Sequence, residues 1–165
     1  DFEVLMTIIN VLFEGIVHST AETEAIGAHL AEKMLDSPKD LPPFVALYGD
    51  LGSGKTAFVR GFTSVIAPTA IVRSPTFTIV NEYRGGIRPI FHFDMYRIGD
   101  EDDLYSVGFY DYLSHGICLC EWSENIPYAL PELYIKTDIA RTNIDTPDER
   151  RISVCVVQND AHLDG

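Results

Sequence analysis

Residues 47–58, LYGDLGSGKTAF, constrain this chain more than any other stretch. Gly49, Gly52 and Gly54 fall within six residues, and Lys55 follows directly. Glycine weakens helices and strands alike, so a cluster of this kind asks for a reason. Gly49, Gly54, Lys55 and Thr56 fit the pattern G-x-x-x-x-G-K-[ST]. Before them, residues 44–48 form an apolar run of strand length; after them, residues 56–65 read as a helix with Phe58, Val59 and Phe62 on one face. Strand, glycine-rich loop and helix make a phosphate cradle, because the loop's N–H groups turn inward and the helix N-terminus adds partial positive charge. A glycine-rich turn without chemistry explains neither flank. On this reading Lys55 reaches the β- and γ-phosphates and Thr56 offers its hydroxyl to Mg²⁺.

A P-loop binds phosphates, but hydrolysis also needs a metal and a positioned water. Two apolar runs end in an acid: IFHFD at Asp94 and GICLCE at Glu121. In open α/β sheets ligands sit beyond the carboxyl ends of the strands, so both acids are candidates to converge on the phosphates. His92 shares a strand face with Asp94; it either orients that carboxylate or fills a polar gap. Ser74 and Thr76 flank Pro75 after the P-loop helix, where a segment sensing the γ-phosphate would sit; a plain loop is the alternative.

The rest of the chain reads as a single domain over residues 1–165, an α/β fold with a mixed sheet flanked by helices. Residues 11–18 read as a first strand. A helix follows over residues 21–35, capped by Ser19 or Thr20. Residues 77–84 and 88–97 read as a hairpin around Gly85-Gly86. Residues 100–113 read as one helix, and strands lie near 132–140 and 150–158. Residues 1–5 read as an appended remnant or part of a longer N-terminus, and residues 159–165 as a frayed tail.

Composition narrows the partners. No apolar run approaches membrane-spanning length, and the acidic start lacks the basic region of a signal peptide. Cys118, Cys120 and Cys155 lie in apolar strand-like runs, an odd set that fits a reducing cytoplasm rather than a disulfide scaffold. The net charge of −13 opposes direct tight nucleic-acid binding, while a local P-loop field still admits nucleotide.

GDLGSGKT, SPTFTIVNEY, HFDMYR and EW follow one another here in the order and spacing of the bacterial TsaE (YjeE) ATPases, and the chain resembles that family from its first helix to its last hairpin. The resemblance implies a small P-loop fold that binds ATP and ADP and hydrolyses ATP with Mg²⁺. It further implies work with TsaB, TsaD and TsaC on the threonylcarbamoyl modification of adenosine 37 in tRNA. Catalysis would then rest on Lys55, Asp94 and Thr76. The nucleotide would lie on Asp50, Leu51, Gly52, Ser53, Gly54, Lys55, Thr56 and Ala57, with Trp122 beside the second acid; Thr20 is placed near the adenine only by its position at the start of the first helix, not by the resemblance. The metal would be held by Thr56, Glu121 and Asp94, with Glu121 expected nearer the ion. Ser53 stands where the family often has alanine and Ser123 where proline is common; both are mild departures. A small-molecule kinase is the competing enzyme, but no arginine cluster suggests a lid. A degenerate binding module is opposed by intact Lys55, Thr56, Asp94 and Glu121. A guanine-specific switch lacks its N-K-x-D run.

Overall fold

The computed structural model describes residues 6–160. The expectations for residues 1–5 and for 161–165 lie outside that range. Seven strands form one sheet in the order β1-β7-β6-β2-β5-β4-β3. Its centre is parallel: β2 (Phe44–Tyr48) pairs with β5 (Ile117–Glu121) and β6 (Leu133–Arg141), and β5 pairs with β4 (Ile90–Asp94). β4 and β5 are buried at every position, and β2 at all but its last. That is the mark of parallel strands covered on both faces, and it is why they appear as unbroken apolar runs. Antiparallel strands finish both sides: β7 (Arg150–Asn159) and β1 (Met6–Val17) beyond β6, and β3 (Val80–Tyr83) beyond β4.

One face of the sheet packs against α1 (Thr20–Asp36) and α2 (Lys55–Ile66) through Leu30, Met34, Phe58 and Phe62, which meet Val45, Leu47, Leu119 and Ile135. The other face packs against α3 (Glu101–Ser106), α4 (Phe109–Tyr112) and the turns that follow β5, with Phe93, Phe109 and Tyr134 at its centre. Cys118, Cys120 and Cys155 are free thiols in this second layer, as their apolar settings imply. Desolvation raises the Cys118 thiol from 9.0 to about 12. Among the described residues no helix is long and apolar enough to cross a membrane.

The two helices of the first layer cross at glycines. A Cβ on Gly61 would overlap the Glu24 carbonyl oxygen, and one on Gly27 would overlap that of Phe58. Backbones this close admit no side chain between them, and the pair brings the start of α1 beside the P-loop helix.

Several boundaries differ from the sequence reading. β1 begins at Met6, well before residue 11, because its first half pairs with the far end of β7 while Ile8, Ile9 and Val11 face outward at the sheet edge. Asn159 closes β7, not a tail. It is buried, its amide donates to the Glu132 carbonyl at 2.7 Å, and Thr7 donates to Asp160 next to it. The expected helix over 100–113 is broken by Gly108, whose φ of 73° separates α3 from α4. Residues 77–79 form a turn rather than strand: the Ile79 N–H donates to the Pro75 carbonyl, and Ile79 takes a φ of 69°.

Candidate functional site

The parallel strands all deliver chemistry at their carboxyl ends. β2 runs into the glycine-rich loop, β4 ends at Asp94 and β5 ends at Glu121, and these two acids are register partners. Gly54 turns the loop into α2 with a φ of 116°, a conformation open to glycine and strained for other residues. The result is a cleft of about 610 Å³. The loop and helix contribute Leu51, Gly52, Gly54, Lys55 and Thr56 to its walls. Asp94, Glu121, Ser74, Thr76, Tyr96, Trp122, Thr20 and Arg150 complete the lining.

Most of the sequence-predicted site therefore meets in one place. Asp50, Ser53 and Ala57 are the exceptions: none lines this cleft. Asp50 and Ser53 border a separate hollow with Tyr48 and Asp138, and Ala57 is buried under the first turn of α2. Ser53 is nearly inaccessible, and its hydroxyl finds no hydrogen-bond partner among the described residues. Thr20 is the first helical residue rather than the cap. Ser19 caps α1 by accepting from the Glu22 N–H, and the Glu22 carboxylate reaches back to the His18 N–H.

Lys55 is almost wholly buried. Its ammonium donates to the Gly49 carbonyl at 2.6 Å and lies 4.4 Å from the centroid of the Trp122 ring. Trp122 holds a φ of 57°, which turns the chain sharply after β5, and it packs on Tyr96. Burial raises the neighbouring Glu124 carboxyl above its ordinary value, and Lys55 opposes that rise.

Asp94 is held on both oxygens. Oδ1 accepts from the Tyr96 N–H at 2.9 Å and Oδ2 from the Thr76 hydroxyl at 3.1 Å. Ser74 lies 2.7 Å from the same hydroxyl, so the segment after the P-loop helix is tied to the acid. His92 does orient a carboxylate, but it is Glu121 and not Asp94: its Nε2 lies 2.6 Å from Glu121 Oε2 and its Nδ1 lies 2.9 Å from the Tyr83 hydroxyl.

Two arginines escaped the sequence reading. Arg141 and Arg150 bracket the loop between β6 and β7, and both reach back to the P-loop. Arg150 Nε donates to the Ser53 carbonyl at 2.6 Å, and Arg141 donates to the Gly52 carbonyl at 3.2 Å. They brace the carbonyl side of the loop whose amides would face a phosphate. The one available signal was the placement of an arginine at each end of a polar hairpin.

Among the described residues no three His, Cys, Asp or Glu side chains are grouped to hold a metal ion. The oxygen-bearing side chains that line the cleft include the Thr56 hydroxyl and the Asp94 and Glu121 carboxylates. Such a set suits Mg²⁺, which takes one or two carboxylates and completes its octahedron with phosphate and water. Asp94 and Glu121 are 6% and 5% exposed. Two nearly buried carboxylates on one wall repel each other, and a divalent cation relieves that cost.

A family profile described as "Threonylcarbamoyl adenosine biosynthesis protein TsaE" matches residues 17–152. The tRNA threonylcarbamoyladenosine biosynthesis protein TsaE of Bacillus subtilis is 41% identical over 116 residues, which cover 70% of each chain. The protein of that name from Haemophilus influenzae is 40% identical over 126 residues, covering 76% of this chain and 77% of its own. The crystal structure of Bacillus subtilis YdiB superposes with a TM-score of 0.69 at 31% identity, covering 95% of this chain and 92% of that one.

Proposed function

Because the chain belongs to the TsaE family of threonylcarbamoyladenosine biosynthesis proteins, we propose that it is a Mg²⁺-dependent ATPase of that tRNA modification. It would act in the cytoplasm with TsaB and TsaD homologues and alongside TsaC. The observation that carries the reading is the convergence of Lys55, Thr56, Thr76, Asp94 and Glu121 on one cleft at the carboxyl ends of the parallel strands.

Each residue then has a task. The P-loop amides and the start of α2 hold the phosphates of ATP or ADP. Lys55 gives up the Gly49 carbonyl for the β/γ-phosphate oxygens. Thr56, Glu121 and Asp94 would hold Mg²⁺, which would neutralise charge building on the phosphates. Thr76 keeps Asp94 in one rotamer, so that its carboxylate can orient a water toward the γ-phosphate. Trp122 walls the site beside Lys55.

Arg150 is the other cation in the cleft, but its guanidinium already donates to the Ser53, Gly52, Pro147 and Glu149 carbonyls. It braces the loop and is committed there. Among the described residues that line the cleft, Lys55 is thus the cation left to meet new charge at the γ-phosphate, which supports slow turnover by the isolated protein. TsaB–TsaD would supply what is missing, since only contacts assembled in the transition state raise the rate.

The test measures ATP affinity by calorimetry with and without Mg²⁺, and turnover at fixed protein with increasing TsaB–TsaD. ATP binding should tighten with Mg²⁺, turnover should rise with the partners, and Lys55→Ala should abolish hydrolysis. Unchanged affinity and turnover in Lys55→Ala would refute the site; a flat partner curve would refute activation.

A further inference from the structure

Behind the cleft a chain of buried polar groups runs from Glu121 to the root of the Ser74–Thr76 segment. His92 is fully buried in β4. Its Nε2 is bonded to Glu121 Oε2 and its Nδ1 to the Tyr83 hydroxyl on the neighbouring strand β3. That hydroxyl lies 3.2 Å from the Arg73 amide nitrogen and 3.1 Å from the Arg73 carbonyl oxygen. The Arg73 carbonyl has a second donor, the Asn81 side-chain amide at 3.0 Å.

Counting protons orders the chain. The Arg73 N–H can only donate, so the Tyr83 oxygen accepts it. The Arg73 carbonyl has room for both the Asn81 amide and the Tyr83 hydroxyl, so the order is set from the other end. An ionised Glu121 carboxylate only accepts, and a neutral His92 that donates to it from Nε2 must accept the Tyr83 proton at Nδ1. Every group is then satisfied in one direction, Arg73 to Tyr83 to His92 to Glu121. The other neutral tautomer would set a nitrogen lone pair against a carboxylate oxygen at 2.6 Å. Desolvation raises the Tyr83 hydroxyl above its ordinary value, which keeps it a donor. Glu121 Oε1 has no hydrogen-bond partner among the described residues, so it is the oxygen available to the cleft.

We propose that Tyr83 and His92 are positioning residues, a relay that fixes the rotamer of Glu121 and couples this acid to the backbone of Arg73. The proposal rests on the reading of Glu121 as a metal-associated acid. The segment that follows Arg73 is bonded to the other acid through Thr76 and Asp94. Arg73–Thr76 therefore touches both register-paired carboxylates, one directly and one through two buried side chains. A displacement of either acid is felt at the same four residues.

The experiment has two arms, one without ligand. In nucleotide-free and metal-free protein, nitrogen NMR of labelled histidine should report the Nε2–H tautomer for His92. Tyr83→Phe keeps the ring and removes the hydroxyl; it should disturb that tautomer and speed hydrogen exchange of the Arg73 amide by about tenfold. The second arm titrates Mg²⁺ in the presence of ADP. His92→Leu should weaken Mg²⁺ by about 10–100-fold while ADP affinity in EDTA stays unchanged. His92→Gln, which retains an N–H donor, should recover part of the loss. An Nδ1–H tautomer in the wild type, or unchanged exchange at Arg73 in Tyr83→Phe, would overturn the relay. So would equal losses of ADP affinity with and without Mg²⁺, which mark general damage. Absence of Mg²⁺-dependent ADP binding in the wild type would instead defeat the ATPase reading, and the first arm would still decide the relay.

Discussion

Gly61→Ala places one methyl group where α1 and α2 cross. The new Cβ would fall onto the Glu24 carbonyl oxygen and stand 2.6 Å and 2.7 Å from the Glu24 carbonyl carbon and Cα. All three are backbone atoms of a helix, so relief requires moving α1 as a body. Alanine gains about 1 kcal/mol over glycine in a helix interior. Overpacking costs about 1–3 kcal/mol, and a rigid backbone neighbour puts this site at the upper end. The balance is a loss of about 2 kcal/mol. For a chain of this size that lowers Tm by about 4–8 °C.

Differential scanning calorimetry checks the figure. Arg60→Ala is the control, since it removes the Arg60–Glu24 ion pair at the same crossing without changing its packing. That pair is half exposed, so its loss should cost no more than about 1 kcal/mol. Nucleotide affinity should also fall in Gly61→Ala, because α1 carries Thr20 at the cleft. A Gly61→Ala protein more stable than the wild type would refute the close approach, as the propensity gain would then stand alone.

Three further outcomes follow from the site and its surroundings. Asp94→Asn keeps the bond from the Tyr96 N–H, and the Thr76 hydroxyl can reverse to accept; turnover should be lost while thermal stability and partner binding persist, and a Tm drop matching the activity loss would refute a chemical role. Burial raises the Cys118 thiol to about 12, so between the ordinary value and that one the folded chain keeps a proton that the unfolded chain releases. The contribution of this thiol must fall as pH rises through this window, by about 2 kcal/mol between about pH 9 and about pH 10.5; burial raises the Cys120 thiol in the same direction, so urea titrations should show a slope that Cys118→Ala reduces without abolishing. The net charge of −13 should leave the isolated chain without a gel shift of tRNA at physiological salt, and a tight complex there would overturn the charge argument.

What was legible in the sequence follows from how each element is buried. β2 and β5 announce themselves because strands covered on both faces must be apolar throughout, and their acids and glycines stand where that run stops. The first half of β1 hides because its outward residues, Ile8, Ile9 and Val11, are as apolar as a core and break the alternation that marks an edge strand. Residues 77–79 mislead in the opposite sense. Phe77, Thr78 and Ile79 are strand formers by propensity, yet the chain turns there, with Phe77 83% exposed and Thr76 delivered to Asp94. Local preference gives way to the hydrogen bonds that the turn makes across the sheet.

The pairing of His92 with Glu121 marks the limit of one-dimensional reading. Spacing alone puts His92 on the face of Asp94, two residues away on the same strand. Yet across the sheet His92 is in register with Leu119, two residues short of Glu121, so the same period of two brings its ring to the acid next door. That contact exists because β4 lies beside β5, and strand order is set by how α1, α2 and the α3–α4 layer cover the two faces. The arginines obey the same rule. Arg141 and Arg150 reach Gly52 and Ser53 because β6 lies beside β2 and β7 beside β6. The groups that meet the phosphates stand next to the strand ends that carry them and can be read from the chain. The groups that hold them in place arrive from neighbouring strands, and only the assembled sheet determines which neighbours those are.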